Sequence, residues 1–320
     1  MRRHLRSFRD DLDARIRAAE ADAYAAYDVV GSERVIDVDS GFGAVRVRVM
    51  EFGTSDERSP IIMLHGIASA TVLAAPLLPY LSNRRVVAVD WPGHGLSDEC
   101  VLPSGVDLRA HSSAVLGSLL HVIGAPEVDM VAHSMGAQFA LYAASDLGKR
   151  IRRVTLLGAP GAAIQGVRPI PAMWMIALPK AGPLLLSLPM SERAFDRAND
   201  RTLGREALLG APAELALALR LIGSRTRNAA SIASFFRALV RRASVRPQVV
   251  LADDALARLG QPVQFVWGDG DVFLSPLAAA RSIVAVRNVS LLRVPGAGHA
   301  PWLQARERTG RAVAEHLLVR

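Results

Sequence analysis

The 320 residues (34.3 kDa) are 51% hydrophobic and 21% charged, with 25 glycines and 18 prolines. That composition belongs to a globular chain, not a disordered or collagen-like one, and the length fits one large α/β domain or a core carrying an insertion. A formal charge of +8 attracts polyanions in principle, but the 38 basic residues are all arginines except Lys149 and Lys180, and they are scattered without a basic run; no nucleic-acid partner is expected.

Leu5, Phe8, Leu12, Ile16, Ala19, Ala23 and Tyr27 recur at three- and four-residue steps and predict a helix with one apolar stripe. Arg2, Arg6, Arg9 and Arg17 stand on its other faces, so peripheral membrane or partner contact is open, although Asp10, Asp11 and Asp13 dilute the charge. This start lacks the apolar run of a signal peptide, and the most apolar stretch, Met173 to Met190, is broken by Pro179, Lys180 and Pro183. A cytoplasmic protein without a membrane span is therefore expected. The lone Cys100 excludes an internal disulfide and a cysteine-rich zinc site.

Alternation in Val35–Asp39 and Val45–Val49, across Ser40-Gly41-Phe42-Gly43, predicts an antiparallel hairpin. The apolar runs Ile61–Leu64, Val86–Val89, Val128–Ala132 and Val154–Leu157 follow at helix-length intervals, as in βαβ units of a mostly parallel sheet. From Gly161 the strand rhythm stops. Helical patterns over Glu206–Leu221 and Ala229–Arg241 mark an insertion, strands return at Val263–Trp267 and Val289–Val294, and a helix over Trp302–Leu318 follows. The expected division is an N-terminal amphipathic helix over 1–30, a core over 31–160 and 246–320, and a helical cap over 161–245.

Ala132-His133-Ser134-Met135-Gly136 sits between a strand and a helix, which makes Ser134 the candidate nucleophile. Ala132 replaces the first glycine of the G-x-S-x-G pattern and is still small. His65-Gly66 closes a buried strand, so the N–H groups of Ile67 and Met135 are the candidate oxyanion hole, with His65 a structural hydrogen-bonder. His94, in the loop Asp90–Asp98, is a candidate substrate contact. A serine base needs an imidazole, and the imidazole needs a carboxylate to fix its tautomer. His299, in Pro295–Pro301, and Asp271, in Trp267–Pro276, supply both, in the chain order serine, acid, histidine.

This ordered set resembles the α/β-hydrolase superfamily, specifically its members with a helical cap after the sixth strand. The resemblance covers about residues 31–160 and 246–320. It implies an eight-stranded, mostly parallel sheet flanked by helices, no metal and no organic cofactor. It places the acid of the G-x-x-D pattern at Asp271, with Asp269 second, and finds no acid after the sixth strand, at Gly158-Ala159-Pro160. Relatives that open epoxides or remove halogens carry aspartate at the Ser134 position, and epoxide openers add cap tyrosines; the four tyrosines here lie outside 161–245.

A serine nucleophile implies an acyl-enzyme. The favoured expectation is hydrolysis of a carboxylic ester of a hydrophobic small molecule, with the Met- and Leu-rich start of the cap, including Trp174, lining the pocket or packing on the core. The alternatives are an acyltransferase or thioesterase, a carbon–carbon bond hydrolase, and a ligand-binding protein on the same scaffold.

Overall fold

The computed structural model describes residues 2–54 and 59–318, with side chains described from residue 11 onward. Eight strands form one sheet: β1 (Gly31–Asp39), β2 (Ala44–Phe52), β3 (Ile61–Leu64), β4 (Val86–Val89), β5 (Val128–His133), β6 (Ile151–Leu157), β7 (Val263–Gly268) and β8 (Val289–Val294). Their spatial order is β1-β2-β4-β3-β5-β6-β7-β8. β2 pairs antiparallel with β1 and β4, and all other pairs are parallel. β3, β4, β5 and β7 are buried at every position, which is why they read as mainly apolar runs in the sequence, broken only by Asp129 and His133 in β5 and Gln264 in β7.

Helices cover both faces. α2 (Leu108–Val122) and α3 (Met135–Asp146) contribute to one apolar core. The other core takes the 3₁₀ segment Thr71–Tyr80 and two N-flanking and C-flanking pieces, α1 (Arg2–Ala25) and the closing helix. Five helices interrupt the sheet between β6 and β7: α4 (Pro171–Ile176), α5 (Ala181–Ser187), α6 (Glu192–Thr202), α7 (Ala213–Gly223) and α8 (Ala229–Leu239). A two-residue ladder, Val240–Arg241 with Ser244–Val245, follows, then α9 (Asp253–Ala257). α10 (Ala280–Ala285) lies between β7 and β8, and α11 (Pro301–Gln304) and α12 (Arg306–Leu318) follow β8.

Three helix boundaries differ from expectation, the helix expected over Ala229–Arg241 stopping at Leu239 where Val240 and Arg241 pair with Ser244 and Val245. Residues 206–212 form turns, because Glu206 adopts φ 58°, a left-handed conformation no helix interior tolerates, and α7 begins only after Pro212. The helix expected over Trp302–Leu318 is two helices, broken at Ala305 with φ −137° and ψ 57°.

Among the described residues the stripe on α1 is buried at Ile16, Ala19, Ala23 and Tyr27 and half-buried at Leu12, and the helix packs on α7 and on Thr71–Tyr80. Its polar residues are used too. Asp13 takes both guanidinium ends of Arg225, at 2.7 and 2.9 Å, and Glu20 meets the buried Arg48 at 2.6 Å. Arg48 also reaches Asp90 at 3.1 Å, tying α1 to the loop after β4. Burial pushes the Glu20 carboxyl up to about 7 against the attraction of Arg48. Leu5, Phe8, Arg2, Arg6, Arg9 and Asp10 have side chains outside the described residues. Among the described residues no helix is long and apolar enough to cross a membrane.

Candidate active site

β5 ends and α3 begins at Ser134, whose φ of 53° and ψ of −116° are strained for a residue with a Cβ. Such a conformation costs about 1–3 kcal/mol and persists only where the surroundings enforce it. Here the Ser134 N–H donates to the Leu157 carbonyl at 3.4 Å, and its carbonyl accepts from the Gln138 N–H at 3.0 Å. The turn presents a half-buried serine at the C-terminal edge of the sheet, at the positive end of α3. Gly136 permits the approach of α3 to β3, since a Cβ there would lie 2.6 Å from Leu64 Cβ and 2.7 Å from the His65 carbonyl. Its N–H donates to that carbonyl at 3.2 Å, which couples the nucleophile turn to the loop bearing Ile67. This loop passes beside Ser134, for a Cβ on Gly66 would sit 3.1 Å from the serine Cβ. Met135, as the first residue of α3, has an N–H with no partner inside the helix.

Asp271 and His299 are brought together from the ends of β7 and β8. His299 Nδ1 lies 2.8 Å from Asp271 Oδ2, and both residues are buried. The carboxylate also accepts from the Ala159 N–H at 2.8 Å, the Trp267 indole at 3.1 Å and the Phe273 N–H at 3.0 Å. Burial alone would raise its pKa, but His299 and these donors outweigh burial and hold it below the usual carboxylate range. The place after β6 that lacks an acid therefore supplies the acid's hydrogen-bond donor. Gly158, at φ 69°, is needed there, because a Cβ would strike the His299 carbonyl. Gly158 touches the histidine and follows Leu157, which holds the serine turn, so Ser134 and His299 flank the same strand end. Asp269 points elsewhere and pairs with Arg293 at 2.9 Å near the surface.

With Nδ1 committed to Asp271, His299 Nε2 is buried and has no hydrogen-bond partner. The ring is braced by Phe273 and His133, with centroids at 4.5 and 4.7 Å. Burial pushes His133 well below the ordinary imidazole range, so a neutral ring packs against His299. His65 is a structural hydrogen-bonder: Nδ1 reaches the Gly66 carbonyl at 2.6 Å and Nε2 accepts from the Trp91 N–H at 2.9 Å. His94 is wholly buried, with Nδ1 3.1 Å from the Pro92 carbonyl and its ring against His65 and Phe235 of α8. Burial lowers its pKa to about 3. Trp174, on α4, is 39% exposed.

Sequence reasoning missed how the insertion is fastened to the loops that carry these residues. The Leu203 carbonyl, just after α6, accepts from the Ala300 N–H at 2.8 Å, and the backbones of Gly204 and Gly298 are in contact. The Arg168 N–H donates to the Phe273 carbonyl at 3.0 Å. The only available signal was the pair of small residues, Gly204 and Gly298, whose partnership across the fold no local pattern reveals. Among the described residues no group of three or more His, Cys, Asp or Glu side chains is arranged to hold a metal ion.

The model of the alpha/beta hydrolase family matches residues 61–312, and the chain belongs to that family. The chain is 27% identical over 259 residues to a pimeloyl-[acyl-carrier protein] methyl ester esterase of Stenotrophomonas maltophilia, covering 76% of this chain and 86% of the relative. It is 29% identical over 265 residues to a 2-hydroxy-6-oxononadienedioate/2-hydroxy-6-oxononatrienedioate hydrolase of Pseudomonas putida, covering 80% and 87%. The fold is also that of carboxylesterase CesB from Bacillus subtilis, with a TM-score of 0.71 at 17% identity over 96% of this chain and 99% of that one.

Proposed function

We propose that this hydrolase cleaves a carboxylic ester of a hydrophobic small molecule through Ser134, His299 and Asp271. The observation that carries the reading is the buried Asp271–His299 pair, which leaves Nε2 unpartnered at the strand end where Ser134 is held in a strained turn. In this mechanism Nε2 takes the Ser134 proton as Oγ attacks the ester carbonyl. The N–H groups of Ile67 and Met135 receive the developing oxyanion. His299 returns its proton to the departing alcohol, and a water activated by the same nitrogen releases the acid from the acyl-enzyme. Asp271 stays ionised and stabilises the imidazolium. The esterase among the relatives supports ester chemistry, and the dienedioate hydrolase keeps carbon–carbon cleavage as the second reading.

The test is covalent labelling by a fluorescent phosphonate, followed by turnover of short-chain chromogenic esters. Wild type should label and hydrolyse, while Ser134→Ala and His299→Ala should lose labelling and at least about 10⁴-fold in kcat. Labelling of Ser134→Ala at the wild-type rate would overturn the assignment. Labelling without ester turnover, with cleavage of a dicarbonyl substrate, would favour the second reading.

A further inference from the structure

Three of the four tryptophans are essentially buried; Trp174 is not, and its neighbours share its exposure. α4 has no buried residue and α5 has only Gly182. Trp174, Met175, Leu178, Leu184, Leu188 and Met190 are all exposed, Leu184 at 64%. A contiguous run of this kind on a water-facing surface marks a contact with something apolar.

The charges around it have one sign. Between Gly161 and Met190 the only charged residues are Arg168 and Lys180, both exposed. α4 and α5 pack on α8, and α4 touches the two-residue ladder that follows α8. From 229 to 252 the charged residues are Arg237, Arg241, Arg242 and Arg246, with no acid. Arg237 lies over the end of α4, 3.4 Å from the Ala177 carbonyl, and Arg241 and Arg242 are exposed. The next acid along the chain, Glu192, is engaged with Arg220 of α7 at 2.6 Å.

We propose that the α4–α5 face, with its arginine edge, docks on the surface of an anionic lipid bilayer without crossing it. Apolar side chains on two short helices, with tryptophan among them, suit the boundary between headgroups and acyl chains. The bordering cations suit the phosphates above it. A second copy is a poor occupant, since two-fold pairing through this face would set one arginine edge against another.

Trp174 serves as the built-in reporter. Vesicles of phosphatidylglycerol with phosphatidylcholine should shift its emission to the blue, protect it from acrylamide and float with the protein, and pure phosphatidylcholine should do so far less. High salt should weaken the binding. Arg241→Glu with Arg242→Glu, and separately Leu184→Asp with Leu188→Asp, should each lower partitioning at least about tenfold, with thermal melts confirming the fold. Leu277→Asp, exposed on the core, should partition as wild type. Failure of the wild type to bind anionic vesicles would overturn the proposal, as would undiminished binding by either double variant. So would protection of Trp174 without lipid, in a dimer seen by sedimentation or in a complex with an acidic protein.

Discussion

α6 to α8 and α4 to α5 interrupt the same sheet, yet they are held in opposite ways. The second half of this insertion is fastened by buried polar contacts: Arg225 to Asp13 and to the carbonyls of Gly95 and Ser97, and Ser231 and Ser234 of α8 to the N–H groups of Cys100 and Leu102 at 2.9 Å. Leu203 and Gly204 add the contact with the His299 loop. The first half has almost no buried side chain and packs mainly on α8. Hydrogen bonds fix a geometry that apolar contact alone does not, and they tie this half to α1, to the loop after β4 and to the loop carrying His299.

The comparison breaks most forcefully at Arg225. Its side chain is nearly buried, so Arg225→Met leaves Asp13 and three acceptors without their donor. The expected loss is about 3–5 kcal/mol in urea unfolding; a loss below 1 kcal/mol, within the range of ordinary surface changes, would mean the second half is not fastened there. Next comes Gly204→Val, whose Cβ would lie 2.9 Å from Gly298 Cα. Displacing the histidine loop by about 1 Å should cost about 100-fold in kcat, with a fall in Tm beside it, because a side chain at φ +131° is strained.

Acid should loosen the same half. Burial lowers His94 to about 3 and His111 to about 4, and both rings pack on Phe235 of α8. The unfolded chain protonates these imidazoles below about pH 6.5 while the folded one does not, so their stabilisation is complete above that pH and falls as pH drops. His65, His133 and His316, also lowered by burial, act in the same sense. Glu20, raised to about 7, acts in the opposite sense, since the folded carboxyl keeps a proton between about pH 7 and 4.5 that the unfolded one releases. His94 and His111 against the one carboxyl already leave a net loss of about 1.4 kcal/mol per pH unit below pH 6, which the other lowered imidazoles deepen, read from denaturant midpoints between pH 7 and 5. The smallest effect belongs to the first half: Leu184→Ser with Leu188→Ser should change unfolding free energy by no more than about 0.5 kcal/mol.

Much of this was legible in the sequence. Strands buried on both faces are mainly apolar, so β3 to β7 appear as runs despite Asp129, Arg152, Arg153 and Gln264, and the order of Ser134, Asp271 and His299 survives because each stands at a strand end. Choosing Asp271 over Asp269 rested on motif spacing; the structure adds the Ala159 donor from across the fold and the Trp267 indole from four residues earlier. The 3₁₀ segment with Pro76 and Pro79 had no periodicity to betray it. The exposure of α4 and α5 was illegible for another reason. The same leucines and methionines suit a pocket wall, a packed helix or an open face, and only the position of α8 beneath them decides.

α1 has a consequence for biosynthesis. Its apolar stripe ends at Tyr27, while its main partner α7 begins at Ala213 and Arg225 lies later still. At about 5–20 residues per second, a ribosome needs roughly 10–40 s to make the chain between them. Through that interval β1, β2 and Thr71–Tyr80 cover part of the helix, with Phe52 against Tyr24 and Arg48 against Glu20, while the side that meets α7 has no partner. The nascent chain thus carries a half-covered amphipathic helix for most of its synthesis, a natural client for holdase chaperones until α7 arrives to clasp it.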